Sequence, residues 1–424
     1  MKRVLLLLLS VCMLAGCARG NEADALAQYG AAALTSVERP QAPDAEDYDA
    51  QRALREAVTP GQLDSLRDFA IRSTGAVLQD SSPAENRLFS PTSLYFALSM
   101  LAQTAGGDTR AEILSALATD EAGLQNTGDL YRLLYMDDGY TRLLLANSAW
   151  LQTGAVGSCQ QDTLDALAQN HYAELFTVNF LDGSAGEAMG QWVSQNTNGL
   201  LGANMQVSPE TVMSLLNTVY FRSEWTDAFQ ESATAPGTFH NGDGSESECD
   251  FMHKTTQGSF IQNDVFTCAS LGLKTGSLSL ILPAEGLTPA DVLAAESWES
   301  LLMGELGDTG YGEIRFQVPK LDYSDSLDLA AAAQALGIQD AFDPASADFS
   351  PLCQDALFVS SIRQESTFSM DEKGVEAASY TQIDYVGAAM PTDQAELILD
   401  RPFLFLLQAE GAPLFVGIVN TMAH

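Results

Sequence analysis

Basic side chains are scarce in this 424-residue chain, where 20 Lys and Arg stand against 56 Asp and Glu for a formal charge of −36. Such a surface repels nucleic-acid phosphates and anionic headgroups, which excludes nucleic acid as a partner. Histidine is scarcer still: His171, His240, His253 and His424 are all there are, and none sits in a recognisable arrangement of base and nucleophile. The G-x-S-x-G elbow, the H-E-x-x-H zinc helix, the Walker A loop and the G-x-G-x-x-G dinucleotide loop are missing. On these grounds no enzyme and no cofactor is expected. The six cysteines include no C-x-x-C pair, so there is neither a redox motif nor a zinc framework. Cys249 and His253 lie four apart, but two ligands do not make a metal site. Cys159, Cys249, Cys268 and Cys353 are too scattered to fix a disulfide pattern.

What is present points to a packed globular protein, with 46% apolar and 18% charged residues. Lys2 and Arg3 precede an apolar run from Val4 to Leu14 that is too short to span a bilayer. The run ends in Leu14-Ala15-Gly16-Cys17, which resembles a bacterial lipobox. Residues 1–16 are therefore expected to be a lipoprotein signal peptide. Cys17 would then carry lipid and hold an exported protein at the extracellular face of the cell membrane, its only contact with the bilayer. Residues 17–60 are rich in Ala, Asp, Glu and Pro without a sustained apolar period, as expected of a flexible acidic linker. Leu63, Leu66, Phe69, Ala70, Val77 and Leu78 then fall near a 3.6-residue period, opening a single domain expected to fill residues 61–424.

Strand-like runs cover Leu143 to Trp150, Val212 to Phe221, Leu278 to Leu282, Ile314 to Val318, Phe358 to Ile362, Leu397 to Leu407 and Leu414 to Val419. The second is nearly continuous in apolar residues, as suits a strand buried on both faces. The Gly and Pro between Gln408 and Pro413 join the last two runs in a hairpin. Helices dominate the first half and strands the second, an α+β pattern.

Several blocks then occur in a fixed order. They are Asn86-Arg87-Leu88-Phe89-Ser90-Pro91-Thr92-Ser93-Leu94, Leu216-Asn217-Thr218-Val219-Tyr220-Phe221 with Trp225, Phe229, Thr234 and Phe239, Val318-Pro319-Lys320, and Asp400-Arg401-Pro402-Phe403. Together with Asp371-Glu372-Lys373-Gly374-Val375-Glu376-Ala377-Ala378-Ser379-Tyr380-Thr381, they make the chain resemble the serpin family from Asn86 to Asn420. The resemblance implies a serpin fold: a large, mostly antiparallel central sheet, additional sheets, eight or nine helices and an exposed reactive-centre loop. It implies a monomer and a sheet-opening polar cluster at Ser90, Ser93 and Asn217, with Gln364 where the family usually has histidine. It places Trp225 at the breach and a loop hinge at Glu372, Gly374, Val375, Glu376, Ala377, Ala378, Ser379 and Thr381.

In this family a protease cleaves the loop, and the loop's first part enters the central sheet as a new strand before the acyl-enzyme is hydrolysed. Serpin loop insertion is itself a standing example of strand addition and of strain release. A side chain entering a packed sheet must fit its neighbours, so the inward positions must be small. If Val375 enters first, alternation sends Val375, Ala377, Ser379 and Thr381 inward, and Glu376, Ala378 and the bulky Tyr380 outward. Counting fourteen residues on from Gly374, as the family does, puts the reactive bond at Ala388-Ala389. A small residue there suits elastase-like serine proteases. Ala389-Met390 is the alternative bond, and Tyr385-Val386 would suit a chymotrypsin-like enzyme. The expected function is a suicide inhibitor. The alternatives are a serpin that binds without inhibiting and, from another class, a lipid-anchored solute-binding protein.

Overall fold

Alternating apolar side chains organise most of the body into strands, and the computed structural model describes residues 26–35, 37–44, 46–154, 157, 159–202, 205–304, 309–354, 356–375 and 393–422. In chain order the strands are β1 Ala32–Ala33, β2 Arg87–Phe89, β3 Met136–Asp137, β4 Thr141–Gln152, β5 Ala173–Val178 and β6 Met213–Glu224. They continue as β7 Ala235–His240, β8 Glu246–Gln262, β9 Phe266–Gly272, β10 Ser277–Pro283, β11 Thr309–Pro319 and β12 Leu321–Asp328. The last are β13 Arg363–Met370, β14 Gly374–Val375, β15 Asp393–Ile398, β16 Phe403–Ala409 and β17 Ala412–Val419. One sheet has the order β1-β5-β4-β6-β14-β13-β12, with β3 beside β4. The other runs β15-β11-β8-β9-β10-β16-β17-β2, with β7 beside β8. Only β4–β5 and β11–β15 are parallel among the described ladders. The α+β class and the large, mostly antiparallel sheet agree with expectation. The described residues hold eleven α-helices rather than eight or nine, because the capped five-residue segments Glu121–Gln125 and Pro289–Leu293 also close into helices.

The core lies where the two sheets meet. The helix Pro91–Thr104 is buried along nearly its whole length between them. Phe368 on β13 stacks on Phe405 of β16 with ring centroids 4.2 Å apart, so an aromatic pair ties one sheet to the other. Glycine at 417 gives the Phe405 ring its seat, since a Cβ there would fall 2.2 Å from the ring. The β16–β17 hairpin turns at Glu410 and Gly411 with φ of 48° and 78°, the left-handed pair that a tight two-residue turn demands.

Register decides what the eight-stranded sheet can do. β4 and β6 pair continuously from Thr141 opposite Ser223 to Leu151 opposite Met213. On the other side, β12 and β13 pair from Leu321 opposite Met370 to Asp328 opposite Arg363. Between these halves, β6 and β13 share no ladder among the described residues, and only the two residues of β14 bridge them.

Four expectations need correction. Phe358 to Ile362 is not a strand: Phe358 is 50% exposed, and the backbone there bonds across to Ala341 and Leu329 instead of to a ladder. Leu397 to Leu407 is two strands, β15 and β16, broken before Pro402, which has no N–H to donate. The β6 run is fully buried only in part, with Met213 to Asn217 half-buried at the end that lacks a second described neighbour. The segment expected to be a flexible linker lies against the body over its described part. Leu26 and Ala31 bury beside Trp150 and Phe176, β1 pairs with β5, and Arg39 meets Glu174 at 3.1 Å. The helix Tyr48–Ala57 follows, with Arg55 on Glu410 at 2.7 Å. Scattered apolar residues without a period were enough to dock it.

Gly417→Ala should push the Phe405 ring out of its seat and cost about 1–3 kcal/mol of overpacking. A urea midpoint equal to that of the parent chain would contradict this account.

Candidate functional site

The bridge between the two half-sheets begins as a local turn. Asp371 Oδ1 accepts hydrogen bonds from the backbone N–H groups of Lys373 (2.8 Å) and Gly374 (3.3 Å). The Asp371 N–H donates to the Gly374 carbonyl at 3.0 Å. An aspartate that bonds its own downstream backbone is a turn former, and here it reverses β13 into β14. Gly374 then pairs with Glu224, and Val375 with Ser223 on one side and Met370 on the other. Val375 points into the core at 3% exposure, the inward parity expected from alternation.

The expected breach residue sits at this turn. Trp225 is buried, its indole Nε1 donates to the Asp371 carbonyl at 2.9 Å, and its backbone N–H donates to the Lys373 carbonyl at 3.0 Å. Its ring meets Phe229 edge to face at 6.1 Å, and the Phe229 N–H donates to the Glu372 carbonyl at 2.9 Å. The Glu372 carboxylate accepts from Thr234 Oγ1 and pairs with Lys320 Nζ, each at 2.7 Å. Burial opposes the charge on Glu372, but the hydrogen bonds from Lys320 and Thr234 outweigh it and hold the carboxyl below its ordinary value. The same hydrogen bond raises Lys320 above its ordinary value, against some loss of hydration. Both groups are therefore charged at neutral pH. The Glu372 contribution disappears only as acid passes below its lowered pKa, and the Lys320 contribution only as alkali passes above its raised one. In the sequence, Lys320 and Thr234 stand only as members of separate blocks. Their common partner is invisible until β7, β12 and the turn are brought together.

The expected sheet-opening cluster divides in two. Gln364, on β13, clamps one residue with both ends of its amide: Oε1 accepts from the Ser90 N–H at 2.7 Å, and Nε2 donates to the Ser90 carbonyl at 2.9 Å. Ser90 Oγ donates to the Leu414 carbonyl at 2.6 Å and accepts from the Ser93 N–H at 3.2 Å, capping the helix Pro91–Thr104. Glutamine carries a donor and an acceptor on one planar group, so it satisfies this backbone without a ring. Asn217 belongs elsewhere. Its Nδ2 donates to Asn147 Oδ1 at 2.7 Å, and Asn147 Nδ2 donates to the His171 carbonyl at 2.6 Å. Its own Oδ1 is buried with no partner. Asn147 was missed in the sequence, because an amide inside an apolar strand gives no sign of which neighbouring strand it faces. The His171 ring is also buried without partners at either nitrogen, and burial, helped by the charge of Arg110, depresses its pKa to about 3.

Glu376, Ala377, Ala378, Ser379, Thr381, Ala388, Ala389 and Cys17 lie outside the described residues.

Residues 64–422 match the family model described as serpin (serine protease inhibitor). The chain belongs to the serpin family. A putative serpin-Z6C of Oryza sativa subsp. japonica is 28% identical, with 82% of this chain and 93% of the relative covered. Plasminogen activator inhibitor 1 of Neovison vison is 29% identical, covering 83% and 91%. Among solved structures, the thermophilic serpin tengpin in its native state matches with a TM-score of 0.76 at 24% identity, over 92% of this chain and 100% of that one. Tengpin in its latent state matches with a TM-score of 0.72 at 23% identity, over 86% and 99%. The α+β architecture described above is thus the serpin fold. Relatives in the family are named as protease inhibitors, and it is not a family of catalysts.

Gln364→Ala should leave the Ser90 N–H buried and unpaired, a loss of about 1–3 kcal/mol, with Gln364→His restoring part of it. Urea unfolding of the three proteins reads the difference directly. His171 supplies a pH test. A neutral, buried ring binds its proton less readily than the unfolded chain does, so stability must fall as pH drops below about 6.5, by up to about 1.4 kcal/mol per pH unit. His171→Leu should be near neutral in cost at pH 7 and should flatten that slope relative to the parent; equal slopes would sink the assignment.

Proposed function

We propose that this serpin traps serine proteases of elastase-like specificity as covalent acyl-enzymes. The observation that carries the reading is the seam between β6 and β13, where the described ladders leave one strand position bridged only by Gly374 and Val375. The chain that follows Val375 is the segment with small residues at its inward parity. A protease serine attacks the Ala388 carbonyl, the Ala388–Ala389 peptide bond breaks as the Ala389 nitrogen takes a proton from the protease's general acid and leaves as the amine, and the new ester bond holds Ala388 to the enzyme. Residues 375 to 388 then extend to about 45 Å at about 3.3 Å each, close to the length of the twelve-residue β6 along which they would lie. Loop entry therefore carries the acylated protease from one end of the sheet to the other. Glu372, Gly374 and Val375 act as the hinge, with Glu376, Ala377, Ala378, Ser379 and Thr381 continuing the strand. Trp225 marks the breach. The Ser90–Gln364 clamp must be remade as β13 moves, and Asn217 as β6 moves. The protein works as a monomer on the extracellular side of the membrane, held there through lipid on Cys17.

The fold alone does not choose this role. Human thyroxine-binding globulin, solved in complex with thyroxine, shares it with a TM-score of 0.73 at 24% identity. A serpin that binds without inhibiting is therefore the competing reading, and the two separate on one gel. Incubation with elastase should give a complex that survives boiling and a released peptide that begins at Ala389. Clean cleavage without a complex would favour the binding reading. An uncut loop would overturn the elastase assignment, and parallel chymotrypsin digestion would then show whether Tyr385-Val386 is the bond.

A further inference from the structure

At the end of the seam far from β14, two cysteines distant in sequence face each other. Cys159 lies between β4 and the helix Gln161–His171, and Cys353 lies ahead of β13. They form an isolated antiparallel bridge. The Gln160 N–H donates to the Leu352 carbonyl at 2.7 Å, one residue after Cys159 and one before Cys353. A hydrogen bond in that position makes Cys159 and Cys353 a non-hydrogen-bonded pair, the closer of the two kinds, with Cα atoms about 4.5 Å apart. A disulfide spans Cα separations of about 4.4–6.8 Å. The site is also closely packed: Cys353 belongs to the buried apolar cluster that includes Met100, Leu151, Leu164 and Leu352, and Cys159 packs against that cluster. The other two cysteines of the body differ. Cys249 on β8 faces Gly237, and Cys268 on β9 faces Ile261 and Ile281. Burial raises Cys249 to about 11, helped by Asp250 and Glu248, and raises Cys268 to about 12.

We infer that Cys159 and Cys353 form a cross-strand disulfide that staples the two half-sheets together at the far end of the seam. Exposure sets the order of steps. Cys159 is partly exposed, whereas Cys353 is 1% exposed. The Cys159 thiolate attacks a small-molecule disulfide such as oxidised glutathione and releases one reduced thiol. The Cys353 thiolate then attacks Cys159 Sγ and releases the second. Two protein thiols are oxidised, one external disulfide is reduced to two thiols, and the protons go with them. The staple joins the β4 side to the β13 side, so it opposes the separation of β6 from β13. Its effect on loop entry rests on the inhibitory reading above, but its formation does not.

The test equilibrates the reduced full chain with oxidised glutathione and maps its non-reduced tryptic peptides. A linked pair of peptides containing Cys159 and Cys353, two hydrogens lighter than their sum and absent in Cys159→Ser, supports the site. Complete alkylation of both thiols after equilibration overturns it, as does linkage only to Cys249, Cys268 or another chain. For the staple, the loop is nicked by a non-target protease and the rise in thermal midpoint that accompanies insertion is followed in both redox forms. A slower or smaller rise in the oxidised form supports stapling, and equal rises overturn it. A rise in neither form overturns loop insertion itself, and the peptide map then decides the disulfide alone.

Discussion

A β-strand with one edge unpaired carries a row of backbone donors and acceptors that favours the arrival of another strand. In this serpin that constraint falls inside a sheet instead of at its rim. β6 is paired to β4 and β13 to β12, while among the described residues only Gly374 and Val375 close the seam between β6 and β13. The rest of the structure can be understood as support for so short a bridge. The Asp371 turn sets its direction. Trp225 holds the carbonyls on either side of Glu372, and the Glu372–Lys320 pair fixes the turn to β12's approach. None of these contacts is strong alone, since a partly exposed ion pair contributes about 1 kcal/mol or less. Together they hold two residues of strand in one place.

Below the bridge, the polar groups that face the seam are sorted by half-sheet. Gln364 on β13 is bonded to Ser90, which belongs to the helix beneath. Asn217 on β6 is bonded to Asn147 of its own neighbour β4. Among the described residues no hydrogen bond joins Gln364 to Asn217, so the halves can part here without tearing a side-chain bond between them. A partnerless Asn217 Oδ1 and a neutral, unpartnered His171 ring leave the β6 side poorly satisfied. Buried polar groups without partners cost about 1–3 kcal/mol each, and a native state carrying several of them is well placed to be displaced by a better bonded one.

Much of this was legible in the amino-acid sequence, and the parts that were not share a cause. β4, β6, β10, β11 and β17 announced themselves through apolar runs, and the helix at Pro60–Leu78 through its period. β8, β12 and β13 did not, because strands such as Leu321–Asp328 and Arg363–Met370 alternate few apolar residues with Ser, Asp and Glu. A sheet face that meets water leaves only half a signal. Glu372, Trp225 and Gln364 could be named from sequence blocks. What they touch could not, since Lys320, Thr234 and Ser90 lie 52 to 274 residues away along the chain. Pairing across such distances is set by register, which no local pattern encodes. The same limit hid Cys353 from Cys159.

The docked N-terminal segment changes how far the protein can reach. With Leu26 buried beside Trp150 and β1 zipped to the edge of β5, the chain is fixed to the body from Leu26 onward and not from near residue 60. Nine Cα-to-Cα steps separate Leu26 from Cys17, at most about 30 Å when fully extended. A lipid at Cys17 would therefore moor the body about one domain's width from the bilayer, with the β1 edge nearest the lipid. On the proposed reading of a lipid-anchored inhibitor, proteases diffusing along the membrane would meet it at that height, and its working volume would be a thin layer over the cell surface.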